Sequence, residues 1–152
     1  MRSLVPFAAI VALSFSLKPV CAASADNNFD DQQRIEALEA KADQAQPREQ
    51  PFLYAELVQQ MTELSIRQYA AGDVGKATGL LKDIQKIAQK IHFSLTGNDK
   101  RLKNAELLLG RTAFRLNEML QSSSVEDRPL VKQVLSQVNQ AQNATMMEVF
   151  QK

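Results

Sequence analysis

"GDVGKATG", residues 72–79, is the stretch whose reading decides the fold. A glycine and a lysine followed by a small residue could end a phosphate-cradling loop, whereas a Gly-Asp pair could join two helices. The phosphate reading needs a glycine, four residues, then Gly-Lys-Ser/Thr, preceded by a buried strand. Here Ala70 stands at the first glycine position, Ala77 follows Lys76 and offers no hydroxyl to magnesium, and the preceding segment has helical periodicity. The stretch therefore reads as an interhelical turn. Gly72 takes the left-handed conformation that closes a helix, Asp73 accepts bonds from the free amides of the next one, and Ser65, Gly75, Ala77 and Gly79 let the two backbones approach.

Outward from this turn the periodicity is helical on both sides and no strand pattern is present. Before it, Pro51 opens a helix carrying Leu53, Leu57, Met61, Leu64 and Gln68 on one stripe. After it, Ala77, Leu80, Ile84, Ile87 and Ile91 recur, with Leu81 and Ala88 widening the face. Thr96-Gly97 ends that helix and Asn98 or Asp99 caps a third, with Leu102, Ala105, Leu109, Ala113, Leu116 and Leu120 in line. The serines at 122–124 break the chain again before a fourth helix with Val131, Val134, Leu135, Val138, Ala141, Thr145 and Val149. The expected helices span about 52–71, 74–95, 99–121 and 126–150. Short connections imply an all-α, antiparallel four-helix bundle, or two stacked helical hairpins, in one domain over residues 51–152.

The first hairpin resembles a tetratricopeptide unit. In that family a leucine and a small residue precede an aromatic, a Gly-Asp turn, and then an alanine and a large residue; Leu64, Ser65, Tyr69, Gly72, Asp73, Ala77 and Leu81 follow that order and spacing. The resemblance covers residues 58–91. It departs from the pattern at Ile84, where a second alanine is usual, and in the lack of a closing proline. One repeat beyond Gly72 and Ala77 stand Glu106 and Arg111, so no second unit is visible and no binding residue carries over. The chain also resembles a loose group of small, uncharacterised exported helical proteins, through KRLKNAE at 100–106, the 111–116 segment, Glu126-Asp127-Arg128-Pro129 and Met147-Glu148-Val149-Phe150. That resemblance implies no activity.

The N-terminus reads as a secretory signal peptide over residues 1–22. Arg2 supplies the positive end, Leu4 to Leu17 the apolar run, and Ala22 or Ala23 the cleavage position. The run is too short to span a bilayer. Lipidation at Cys21 is disfavoured because Lys18, Pro19 and Val20 are not a lipobox, so the expected product is a cysteine-free chain in the periplasm or extracellular space. Without Arg2 and Lys18 it holds 16 basic and 17 acidic residues, a net of −1. Residues 23–50 are rich in Asp, Asn, Gln and Ala, and read as a flexible acidic leader with a short helix over 31–45, whose Ile35, Leu38, Ala42 and Ala45 form one stripe that could dock on the body or a partner.

Chemistry is sparse. His92 is the chain's one histidine and has no recognisable serine, thiol or carboxylate partner. No Glu-x-x-His motif is present for a metal bundle, and Glu126-Asp127 sits where a helix start wants acids. We therefore expect no catalytic, cofactor-binding or metal-binding residues. Nucleic acid is disfavoured because no aromatics interleave with the charges.

Two surface features stand out. Arg101, Asn104, Leu108, Arg111 and Arg115 share one face of the third helix, which the lysines at 82, 86, 90, 100 and 103 make locally basic and suited to an anionic envelope component. Leu107, Gly110 and Phe114 form a second apolar stripe, expected if that helix is central in its bundle, or else an exposed contact patch. Met146, Met147 and Phe150 are expected in the core. The candidate partner-binding residues are thus Arg101, Leu107, Leu108, Arg111, Phe114 and Arg115. The expected role is an exported helical protein-interaction or scaffold module with a protein partner or self-association, no transmembrane span in the mature chain and no activity of its own. The alternative is a small-ligand or anion carrier using the bundle interior or the basic face.

Overall fold

The computed structural model describes residues 23–95 and 100–150, and every regular element among them is a helix: α1 (Ala23–Gln44), α2 (Gln50–Ala70), α3 (Val74–Ser94), α4 (Lys100–Ser122) and α5 (Arg128–Phe150). The expected signal segment, with Cys21 and Ala22, and the connection at 96–99 lie outside the described residues; Ala23 is the first residue of α1.

The result is a helical bundle in which the leader's helix joins the four expected over residues 51–152. The additional helix is α1, into which the leader folds well beyond the anticipated 31–45. It seats the expected stripe on α2: Ile35 and Ala42 are buried, and Leu38 and Ala45 pack against the core beside them. Burial of that stripe supplies what an isolated helix of this length lacks in water. Polar bonds hold both ends, Asp31 pairing with Arg67 and Asp43 with Tyr54 and Lys90, so α1 runs antiparallel to α2.

α2 is the central helix and touches α1, α3 and α4, while α5 touches α3 and α4. The reason lies in its composition. Leu53, Tyr54, Ala55, Leu57, Val58, Met61 and Leu64 spread apolar surface around most of its circumference, and all are buried. The expectation that α4 is central is thereby corrected, because α4 buries one face only, from Leu102 through Leu109 and Leu116 to Met119. α3 and α4, consecutive in the chain, do not pack on each other. Instead α4 lies parallel to α2, for Glu49 reaches Arg101 and Glu63 reaches Arg115, both across an offset of 52 residues. Helices joined directly by a turn still run antiparallel, α2 with α3 and α4 with α5; the parallel pair, α2 and α4, is not consecutive in the chain.

At the opening stretch the chain turns by a glycine. Gly72 has φ 85°, the Asp73 amide donates to the Gln68 carbonyl at 2.9 Å, and the Gly72 amide donates to the Tyr69 carbonyl at 3.1 Å, which satisfies the last carbonyls of α2. Asp73 stands at the N-cap of α3, yet its carboxylate makes no cap bond and pairs with Lys76 at 3.3 Å. The close approach of the two helices occurs where Ser65 Oγ donates to the Ala77 carbonyl at 3.2 Å, both residues being buried. Gly75 and Gly79 play no part in it: they are exposed, and a Cβ on either would meet nothing within 4 Å.

The turn between α4 and α5 is tied to the end of α2. Tyr69 Oη accepts from the Ser124 amide at 2.8 Å and donates to Asp127 at 3.0 Å, and Ser124 Oγ donates to the same carboxylate at 2.7 Å. At the other end of α5, Met147 and Phe150 are exposed and Met146 partly so, contrary to the expected core role; the buried stripe of Val134, Val138, Ala141 and Thr145 leaves them on another face.

Candidate functional site

α4 presents its most exposed apolar surface opposite its core stripe. At 3.6 residues per turn, Leu107 and Phe114 project nearly diametrically away from Leu102, Leu109 and Leu116. They are 56% and 63% exposed, whereas those three leucines are buried. The second apolar stripe is thus an uncovered face. α1 does not cover it, since α1 packs on α2.

Beside this face runs an open groove of about 560 Å³, walled by Gln59 and Glu63 of α2, by Leu107, Arg111, Phe114 and Arg115 of α4, and by Gln142 of α5. A smaller groove of about 260 Å³ adjoins it towards the start of α4, where Phe52, Glu56, Asn104 and Leu108 join the shared residues Gln59, Leu107 and Arg111. Gln142 crosses over Gly110, where a Cβ would come within 2.9 Å of its Nε2, and donates to Glu106 at 3.0 Å. Gly110 therefore accommodates the α5 side chain at the groove floor.

Of the six candidate partner-binding residues, the structure brings Leu107, Arg111, Phe114 and Arg115 to the larger groove, places Leu108 half-buried in the smaller, and sets Arg101 outside both. The basic character read along the chain is partly compensated in space. Arg115 holds Glu63 by two bonds, Nε to Oε1 at 2.8 Å and Nη2 to Oε2 at 3.0 Å, and also reaches Glu118. The bond from Arg115 lowers the Glu63 carboxyl from its ordinary range, and bonding to Glu63, then to Glu118, raises the guanidinium. Arg101 pairs with Glu49, Lys90 with Asp43, and Lys86 with Asp83. Along the chain these cations look clustered; across the helices Lys90, Arg101 and Arg115 each face an acid.

Sequence reasoning did not find Gln59, Glu63 and Gln142 as groove walls, because no linear pattern links one polar residue on each of two helices to a patch on a third. It also missed the reach of Tyr69 to the distant turn. His92 is exposed at the end of α3 with its ring edge-on to Phe93 at 5.5 Å; the two line a separate groove with Ala88, Gln89, Gln137, Gln140 and Ala141, with no carboxylate in its wall among the described residues. Among the described residues no cluster of three His, Cys, Asp or Glu side chains could hold a metal ion, and no helix is long and apolar enough to cross a membrane.

The chain matches no family model, no curated protein and no solved structure at a significant level. The functional reading therefore rests on the residues themselves.

Proposed function

We propose that the protein is an exported helical interaction module that engages a protein partner through the outer face of α4 and carries out no chemistry of its own. One observation carries this reading: Leu107 and Phe114 stand exposed two turns apart on the face opposite the core, beside a groove whose charges balance, with Glu63 and Glu106 against Arg111 and Arg115. An exposed apolar patch with a polar rim is the signature of a contact surface. The charge balance favours a protein over a polyanion, because an anionic polymer would need more cations than the groove supplies.

In the same reading α2–α3 and α4–α5 form two stacked hairpins of tetratricopeptide type. What supports this is the Gly72 turn, the Ser65–Ala77 contact and the parallel register of α2 and α4. The offset of 52 residues between the stacked helices exceeds the roughly 34-residue repeat of that family, which accounts for the missing second unit at the expected spacing. Export rests on the residue pattern of positions 1–22, and the reading without catalysis on the sparse sequence chemistry, a single histidine with no Glu-x-x-His motif.

The test is Phe114→Glu. It leaves the helical content unchanged and abolishes affinity capture of the partner from the cell envelope. Unchanged capture by this variant would remove the α4 face from the reading.

A further inference from the structure

The outer face of α4 is arranged about its own midpoint. Along it stand Lys103, Leu107, Phe114 and Glu118: a base, two apolar residues two turns apart with Gly110 and Arg111 between them, and an acid, each charge four positions from its apolar neighbour. All four side chains are exposed and project away from the core stripe. A two-fold axis crossing α4 between Gly110 and Arg111 carries position 107 onto position 114 and position 103 onto position 118. An antiparallel pair of such helices therefore sets Leu107 against Phe114 twice and Lys103 against Glu118 twice. A parallel pair would set Lys103 on Lys103 and Glu118 on Glu118.

Shape agrees with charge. Phe114 stands out from the surface, and a groove of about 260 Å³ with Phe52 and Leu108 in its wall adjoins Leu107, the residue that the two-fold sets against the other Phe114. Knob and recess on a single face make a self-complementary surface of the kind closed dimers use. Resting on the reading of this face as a contact surface, we propose that its partner is a second copy of this chain, bound through an antiparallel α4–α4 contact with Leu107 and Phe114 at its centre. A single-helix face is smaller than the about 1,200–2,000 Å² buried by stable specific interfaces, so the dimer forms at micromolar or higher concentration.

Sedimentation equilibrium of the purified protein over a range of concentrations tests this. The protein passes from monomer to dimer as concentration rises, and Phe114→Glu holds it monomeric while its far-ultraviolet circular dichroism stays unchanged. Lys103→Glu and Glu118→Lys each place like charges together twice and weaken the dimer on the order of tenfold, and the two substitutions combined restore it. A protein that stays monomeric up to about millimolar concentration overturns the inference. So does a dimer indifferent to Phe114→Glu, or a double variant no tighter than its parents. If the protein is monomeric but a crosslinker at position 114 still captures another protein, self-pairing falls and the contact-face reading stands; if position 114 captures nothing, both fall.

Discussion

Replacing Tyr54 by Phe tests whether α1 belongs to the bundle. The Tyr54 ring is buried, and its hydroxyl donates to Asp43 of α1 at 2.7 Å, the oxygen that Lys90 of α3 reaches at 2.9 Å. Phenylalanine keeps the packing and removes that bond. A hydrogen bond to a charged group is worth about 1.5–3 kcal/mol, but Asp43 is half exposed and keeps Lys90, so we expect a loss of about 1 kcal/mol in urea denaturation. Titration gives the sharper readout. Burial first, and then the bond to Asp43, push the Tyr54 phenol up from 10.0 to about 12. Below pH 10 the phenol is neutral in both folded and unfolded chains; between pH 10 and about 12 only the unfolded chain ionises, so up to about 2.7 kcal/mol of stability is lost across that window. The chain has two tyrosines and no tryptophan, so phenolate absorbance resolves the component directly. It titrates at about 12 in the parent and disappears in Tyr54→Phe. If the component that disappears titrates near 10, Tyr54 is not enclosed by α1 and the five-helix arrangement is refuted. At the acid end, bonds from Lys90 and Tyr54 lower the Asp43 carboxyl, so its contribution is complete above its ordinary 3.8 and is lost as pH falls through the depressed value.

Further outcomes follow from burial and geometry. Leu116→Ala, at a fully buried position, costs about 2–5 kcal/mol in chemical denaturation, whereas Phe114→Ala on the opposite face of the same helix costs less than about 1 kcal/mol. Gly72→Ala forces a Cβ into the left-handed region and costs about 1–2 kcal/mol, while Gly75→Ala and Gly79→Ala, in open space on α3, raise stability by up to about 1 kcal/mol each in thermal melts. Glu63→Gln breaks the two-bond contact with Arg115 and costs about 1 kcal/mol at low salt, a difference that shrinks when the same denaturation is run at high salt.

The helices were legible because their apolar residues recur with the helical period. Leu53, Leu57, Met61 and Leu64 declare α2, and Ala77, Ile84 and Ile91 declare α3. The hairpin turn was legible because few residues other than glycine close a helix at positive φ. Which helix sits at the centre was harder to read. Leu107 and Phe114 gave α4 a second apolar stripe like one turned to another helix, and the alanines, serine and threonine that let neighbours close around α2 carry little hydrophobic signal. The length of α1 was hidden for a similar reason, since Ile35 and Ala42 are few and the rest of its hold is polar, through Asp31 and Asp43. The pairing of Arg115 was hidden because its partner Glu63 sits on α2, 52 residues earlier in the chain. The apolar pair Leu107 and Phe114 was legible; the groove walls at Gln59, Glu63 and Gln142 needed the fold.

The central claim is that the outer face of α4 is where this protein meets another chain. A photo-crosslinking residue placed at position 114 in the cell that makes the protein measures this directly, with the exposed position 132 on α5 as the control. The account predicts a discrete covalent adduct from position 114 and none from position 132. A protein that stays uncrosslinked at 114, or that gives the same products from both positions, would contradict it.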